Sequence, residues 1–401
     1  MTTLGNLYTD FFLVDLDTPG GYARVAEVRT QKPGLPKFCA FKIMRPDIGY
    51  VIGLDRFDEE LSILLEISRD VDAPTAITRI YDSGFAPREL AESLEKQEAP
   101  RSDLEIISTA TDVNDFLQQH ELQAKEAENW LPYLVVELAP FDNSLLRQIF
   151  NQPRNDPSGL FRLPTGEVIS MAIQLLDVME YLHKRHNRAY MDWKPEHIFW
   201  NGIEKQVKLI DWNVTSSLDD GPGKEQNIKD DLRLFCGAAL YVSLTFVEPE
   251  NPTKPIGPRP TRELDLPVPE IRRRYWTDNP IFYQRDSMLD DRIKEIIRRG
   301  LDPQQGFDSI QELKQTLIEY ALDELGVKEE ELTLQAQPTS PYFKAITEMR
   351  RAQQQLFQAQ KEVIEAIREN GATREFTRLF DAIKRASLNF PISDLIEDGD
   401  R

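Results

Sequence analysis

Cysteine is nearly absent. Only Cys39 and Cys236 occur in 401 residues, too few for a disulfide framework, which excludes a small stapled secreted scaffold and fits a reducing cytoplasm. Histidine is as scarce, with 4 residues. His183 and His186 close a helix, where cations suit the C-terminus, and lack the neighbouring cysteines or acids of a structural zinc site. Positive charge is in deficit: 48 Lys and Arg face 68 Asp and Glu, giving a formal net charge of −20. That balance argues against general binding to DNA or anionic membranes, so neither nucleic acid nor a membrane surface is an expected partner. Long apolar runs are missing too. The longest, Phe235 to Val247, is too short to span a bilayer, contains Ser243 and Thr245, and reads as a buried helix. The N-terminal MTTLGNLYTDFF lacks the charged-then-apolar pattern of a secretory signal.

What is present is enough chain for more than one core. At 401 residues two lobes plus a tail are expected. Residues 11–82 carry short β-type runs (FFLV, ARVAEV, FCAFKIM, AITRIYDSGF) broken by PGG and KPGLP, with one helical stretch, RFDEELSILLEIS, in which Phe57, Leu61, Leu64 and Leu65 share a face. From residue 86 to 130 the sequence turns acidic and helical before PYLVVEL returns to strand, so this stretch reads as a helical insertion between two strands. An amphipathic helix follows over 168–183, then two short strands, HIFW and VKLIDW, around the Asn201-Gly202 turn. Beyond residue 227 the pattern is mainly helical, with a Pro-rich loop over 248–269 and a break, LQAQPTSP, at 334–341.

Chemistry concentrates in a few places. Gly20 and Gly21, between two strand-like runs, let a backbone approach phosphate oxygens, although a PGG hairpin has the same look. Lys42 sits inside the apolar run FCAFKIM, where an ammonium demands an acidic partner or must snorkel to an edge. Glu60 is the natural partner on the following helix, with Glu59 and Glu66 as competitors. In YMDWKPEHIFWNGIEKQVKLIDWN, Asp192 and Asp211 stand at the edges of short apolar strands, with Lys194 and His197 just after the first. Phosphoryl transfer needs one carboxylate to orient a hydroxyl and another to hold a metal on the phosphates; two loop-capping aspartates are the alternative.

Together these segments resemble the protein kinase family, in order from about residue 11 to 325. The fold this implies is α+β and two-lobed: a small antiparallel β lobe with one helix over 1–138, interrupted by the insertion, a larger mainly helical lobe over 139–333, and a C-terminal helical tail over 334–401. AFKIM resembles the strand motif of the ATP-anchoring lysine, YMDWKPEH the catalytic loop, and LIDWN the metal-binding motif. The resemblance implies a nucleotide site lined by Gly20, Gly21, Val25, Ala40, Lys42 and Glu60, with Val136 as gatekeeper and Glu137 to Ala139 against the adenine. It makes Asp192 and Lys194 catalytic and Asp211 and His197 metal ligands, with ATP and Mg or Mn bound, and a protein Ser or Thr as acceptor.

The departures are specific. Thr18 and Ala23 take the outer positions of the glycine loop. Met191 replaces the arginine that meets a phosphorylated activation loop, and His197 replaces an asparagine metal ligand, a change that favours manganese over magnesium. Asn213 replaces the glycine after Asp211, tolerable because Asn accepts left-handed backbone. Asp231, matching the aspartate that opens the central large-lobe helix, follows Asp211 by only twenty positions, and no Ala-Pro-Glu motif lies between. The chemical centre is kept while the switching apparatus is reduced. A weak kinase is expected, with a nucleotide-binding pseudokinase working through insertion and tail as the alternative, and a nucleotide-independent interaction protein as a third. In the tail, Ile346, Met349, Leu356, Val363 and Ile367 follow heptad spacing. The resulting hairpin either packs on the large lobe or forms a dimer.

Overall fold

A computed structural model describes residues 2–13, 22–48, 50–110, 112–123, 129–139, 144–145, 163–202, 204–218, 223–244 and 289–326. Gly20, Gly21 and Thr18, the Pro-rich loop over 248–269 and the whole 334–401 tail with its expected dimer lie outside the described residues. Among the described residues no helix is long and apolar enough to cross a membrane.

The first half of the chain forms one antiparallel sheet from β1 (Thr2–Thr3), β2 (Tyr8–Leu13), β3 (Ala23–Thr30), β4 (Phe38–Met44), β5 (Ile80–Pro87), β6 (Glu105–Ala110) and β7 (Trp130–Val136), in the order β1-β6-β5-β7-β4-β3-β2. Strand β4 is paired on both sides, by β3 and β7, and every residue from Cys39 to Met44 is buried. That is why FCAFKIM reads as a continuous apolar run rather than an alternating one. Lys42 is its only charged residue.

Helix α2 (Tyr50–Ser68) packs on β4, β5 and β7. Phe57, Leu61, Leu64 and Leu65 are its buried stripe, each at most 2% exposed, as the 3.6-residue period requires. Glu60 sits in the same stripe at 3% exposure, a position where a carboxylate must find a partner.

The stretch 86–130 is more than a helical insertion. It holds α3 (Arg88–Glu95) and α4 (Val113–Gln123), but between them β6 pairs with β5 and with β1. The insertion therefore carries the expected helices and also widens the sheet. EIISTA, six residues without a Gly or Pro boundary in it, is short enough to be hidden between acidic helical segments. Helix α4 is fastened by Phe116, whose ring stacks on Phe85 at 4.9 Å.

The second half is mainly helical. Helix α5 (Thr165–Tyr181) is buried around most of its circumference, which marks it as an interior helix. It leads through a π turn (Leu182–His186) to two short antiparallel pairs, the hairpin of β9 (Ile198–Asn201) with β10 (Gln206–Leu209) and, enclosing it, β8 (Arg188–Ala189) with β11 (Ser216–Ser217). Helix α6 (Lys224–Phe235) continues through a buried π segment to Leu244, in agreement with the buried helix read from the apolar run. Asp231 lies inside α6, not at its opening. Helix α7 (Asp291–Leu301) is capped by Asp290, whose side chain accepts from the Ile293 amide, and α8 (Ile310–Glu324) by Ser309, which accepts from the Glu312 amide at 3.1 Å. Ser309 and Glu312 supply the S-x-x-E spacing that starts a helix.

The β5–β6 contact is close because Gly84 lacks a side chain. Its φ is +159°, and a Cβ there would lie 1.9 Å from the Ile107 carbonyl oxygen. Gly84→Ala should lower stability by about 1–3 kcal/mol through forced separation of the strands, read as a fall in urea midpoint with the slope unchanged.

Candidate active site

Strand register decides which side chains face the site. Lys42 pairs across the sheet with Val25 on β3 and Leu134 on β7, and Ala40 with Val136. Partners in register and residues two apart share a face, so Val25, Ala40, Lys42 and Val136 line one surface. Glu137 follows immediately, but its carboxylate is engaged: it pairs with Lys208 Nζ at 2.8 Å and accepts from the Arg79 amide at 3.3 Å. Any ring contact there falls to the backbone from Glu137 to Ala139.

Lys42 Nζ lies 2.6 Å from Glu60 Oε2 and 2.8 Å from Asp211 Oδ1. One ammonium thus joins a sheet strand, a helix and a loop of the helical lobe. Of the glutamates considered, Glu60 is the partner. Glu59 turns elsewhere, and Glu66 meets His186 at 3.0 Å. Burial opposes the Lys42 charge, yet Asp211 and Glu60 together push its pKa above the ordinary lysine range. Burial also opposes an ionised Asp211, but Lys42, His197 and Lys194 hold it well below the usual carboxylate range. Glu60 goes the other way: burial raises its pKa, Lys42 only partly offsets this, and the Asp211 charge adds to the rise. Two carboxylates share one cation, and Asp211 keeps the negative charge more firmly.

The loop before β9 brings the other residues to the same place. Asp192 is 7% exposed, and its Oδ1 lies 2.8 Å from Lys194 Nζ. Burial opposes the Lys194 charge, but Asp192 raises its pKa above the ordinary value. The His197 ring sits between the two aspartates, with Nδ1 3.0 Å from the Asp192 carbonyl and Nε2 3.3 Å from Asp211 Oδ2. Asp192, His197 and Asp211 each offer a ligand atom within 4.8 Å of the others. Two carboxylates and an imidazole suit a divalent cation, and the nitrogen donor suits manganese better than magnesium.

Two strained residues hold this arrangement. Met191 has φ +63° and Asp211 φ +65°, conformations that cost a non-glycine residue on the order of 1–3 kcal/mol each. The left-handed residue of LIDWN is therefore Asp211 itself, not Asn213. Hydrogen bonds maintain both. The Tyr190 hydroxyl donates to the carbonyls of Ile210 at 2.5 Å and Asp211 at 3.1 Å. The buried carboxylate of Asp231 accepts from the Met191 amide at 3.1 Å, the Tyr190 amide at 3.3 Å and Trp193 Nε1 at 2.6 Å, and lies 2.7 Å from His183 Nε2. His183 thus belongs to the support of the loop rather than to a free helix end. Met191, where the resemblance expects an arginine, is buried at 2% exposure. The roles of Tyr190, Trp193 and Asp231 were invisible as spacing, because each acts through contacts distant along the chain. Their one sequence signal is two polar aromatics and an acid near a candidate loop.

Lys42→Met would leave Glu60 and Asp211 facing each other without a cation, a buried break of about 3–5 kcal/mol. Glu60 would then bind a proton more tightly in the folded state than in the unfolded one, so stability should fall as pH rises. The variant should lose more stability between pH 5 and pH 8 than the wild type, in which Lys42 partly offsets the rise at Glu60. Melting curves at the two pH values check this.

No family profile matches the chain. A curated protein of Mycoplasma pneumoniae described as "Putative serine/threonine-protein kinase" is 28% identical over 128 residues, 31% of each of the two chains, so the match spans about a third of that relative. A solved structure, Rad53 residues 1–466 in complex with AMP-PNP, aligns over 77% of this chain and 64% of its own length with 16% identity and a TM-score of 0.43. Over the matched stretch the chain is similar to that kinase relative, and its α+β fold brings Lys42, Glu60, Asp192 and Asp211 together.

Proposed function

We propose that the cleft binds ATP with a divalent metal and transfers its γ-phosphate, slowly, to a Ser or Thr hydroxyl of a protein. The observation that carries this reading is the ammonium of Lys42 held between Glu60 and Asp211, 2.6 and 2.8 Å away. A buried, permanently charged lysine of that kind is a ready partner for phosphate oxygens. Val25, Ala40 and Val136 give the apolar wall for a ring, with the backbone of Glu137 to Ala139 at its edge; Gly20 and Gly21 are the proposed phosphate loop by sequence alone. Asp211 and His197 would hold the metal, which supplies neutralisation of phosphate charge when bound.

Asp192 orients the acceptor hydroxyl and takes its proton. Lys194, 2.8 Å from Asp192, supplies positive charge beside the transferring group. Bond making joins the acceptor oxygen to the γ-phosphorus as the bond to the β-bridging oxygen breaks, and ADP leaves with the electron pair. Slowness follows from His197 in a ligand position that an oxygen donor serves better for magnesium.

A second reading has its own support. Asp192 already meets Lys194 and, at 3.4 Å, His197 Nδ1, so its carboxylate is less available as a base. On this reading the chain is a pseudokinase, binding nucleotide and acting through its insertion and tail on a protein partner.

Lys42→Ala and Asp211→Asn should each weaken ATP binding in the presence of Mn by about tenfold or more, as loss of a buried charge-assisted contact does, measured by calorimetry and by loss of thermal stabilisation. Unchanged affinity in both variants would sink the nucleotide site. With radiolabelled ATP, Asp192→Ala should abolish transfer while leaving binding, and His197→Asn should raise turnover with Mg relative to Mn. Nucleotide binding without any transfer by the wild type selects the pseudokinase reading.

A further inference from the structure

We infer that Thr215 is a positioning residue, whose hydroxyl ties helix α2 to the segment that carries Asp211 and so keeps Glu60 and Asp211 on the same ammonium; this rests on the nucleotide-site reading above. Thr215 Oγ1 donates to Glu59 Oε1 at 3.0 Å and accepts from Arg188 Nη1 at 3.0 Å. A hydroxyl is the smallest group that can do both at once. Glu59 is the chain neighbour of Glu60, and Thr215 lies four residues beyond Asp211.

A parallel tie runs one turn earlier on the helix. Arg56 Nη1 donates to the Asn213 carbonyl at 2.9 Å, lies 3.3 Å from Glu59 Oε2, and its guanidinium stands 5.8 Å from the Tyr22 ring. Arg188 is itself fixed, because β8 pairs with β11 with Ser217 opposite Arg188, and the Leu218 amide donates to the Asn187 carbonyl at 2.7 Å. Glu59 therefore receives a donor from each side, and the turn of α2 that presents Glu60 is anchored to the segment after Asp211 through Thr215 and the Asn213 carbonyl. If α2 swings away, Glu60 leaves Lys42, and these bonds must break first. Nothing in the anchor calls for a phosphate.

The test uses the full chain with Thr215→Val, which keeps the shape and removes both bonds, and Thr215→Ser, which restores them. Hydrogen exchange should quicken in peptides covering 56–67 and 212–218 for the valine variant and return for the serine one. If transfer is measurable, kcat should fall about tenfold with KM for ATP within about twofold, again with recovery in the serine variant. In urea, adding Glu59→Gln to Thr215→Val should cost less than the sum of the two single changes. Unaltered exchange in the valine variant, a serine variant as impaired as the valine one, or strictly additive stability effects would overturn the proposal. Exchange and urea unfolding need no turnover, so a wild type that binds no nucleotide would sink the site reading while these two measurements still decide the anchor.

Discussion

The structure depends on an electrostatic imbalance at its centre: one buried ammonium, Lys42, set between two carboxylates, Glu60 and Asp211. Removing three ionised groups from water is tolerable only when each finds its counterpart, and here the count leaves one negative charge in excess. On the proposed reading, that excess favours a cation near Asp211 and lets Lys42 exchange a carboxylate for a phosphate oxygen at little net change in pairing. The same contacts join the sheet to the helical lobe, so binding chemistry and lobe geometry are one problem.

A second constraint lies beneath the first. Asp211 can reach Lys42 only from a left-handed backbone, and Met191, at the other end of the loop, has the same strain. Both are offset by a small set of buried donors and acceptors. Asp231 gathers two amides and an indole, and the Tyr190 hydroxyl spans two carbonyls. The burial of Tyr190 among Trp193 and Trp212, with ring centroids 4.9 and 5.1 Å away, keeps water from competing for those bonds. The strain at Met191 is met by Asp231, which lies in the buried last turn of α6 with Leu232, Leu234 and Phe235.

How much of this could be read from the chain follows the range of the interaction. Lys42 announced itself because an ammonium in an apolar strand has few options, and Glu60 because it lay on the apolar face of the next helix. Asp192, Lys194, His197 and Asp211 were legible as local motifs beside short strands, and the α+β division followed from the change in periodicity. Strand β6 was missed because EIISTA is brief and sits between acidic helices, and only its partners β5 and β1 make it a strand. Asp231 was placed at a helix opening, and His183, which does close its helix, has a further role that no local description shows: their contact joins two elements 48 residues apart. The left-handed geometry at Asp211 rather than Asn213 is likewise a product of the Tyr190 bonds, not of the residue's own preference.

The reduced segment after Asp211 then has a physical reading. A long segment that orders on gaining a phosphate needs a nearby cation to receive it, and the position expected to supply one is a buried methionine. Order has to come from elsewhere. In this chain Arg56, Glu59, Arg188 and Thr215 make neutral and charge-assisted bonds around the start of that segment, from α2 on one side and β8 on the other. Such bonds are made once, on folding, and are not created by a modification. On the proposed reading, a site assembled this way needs no modification to be ready for nucleotide. The loss of a switch and the retention of Lys42, Glu60 and Asp211 are therefore compatible parts of one design, in which the geometry is fixed by the fold.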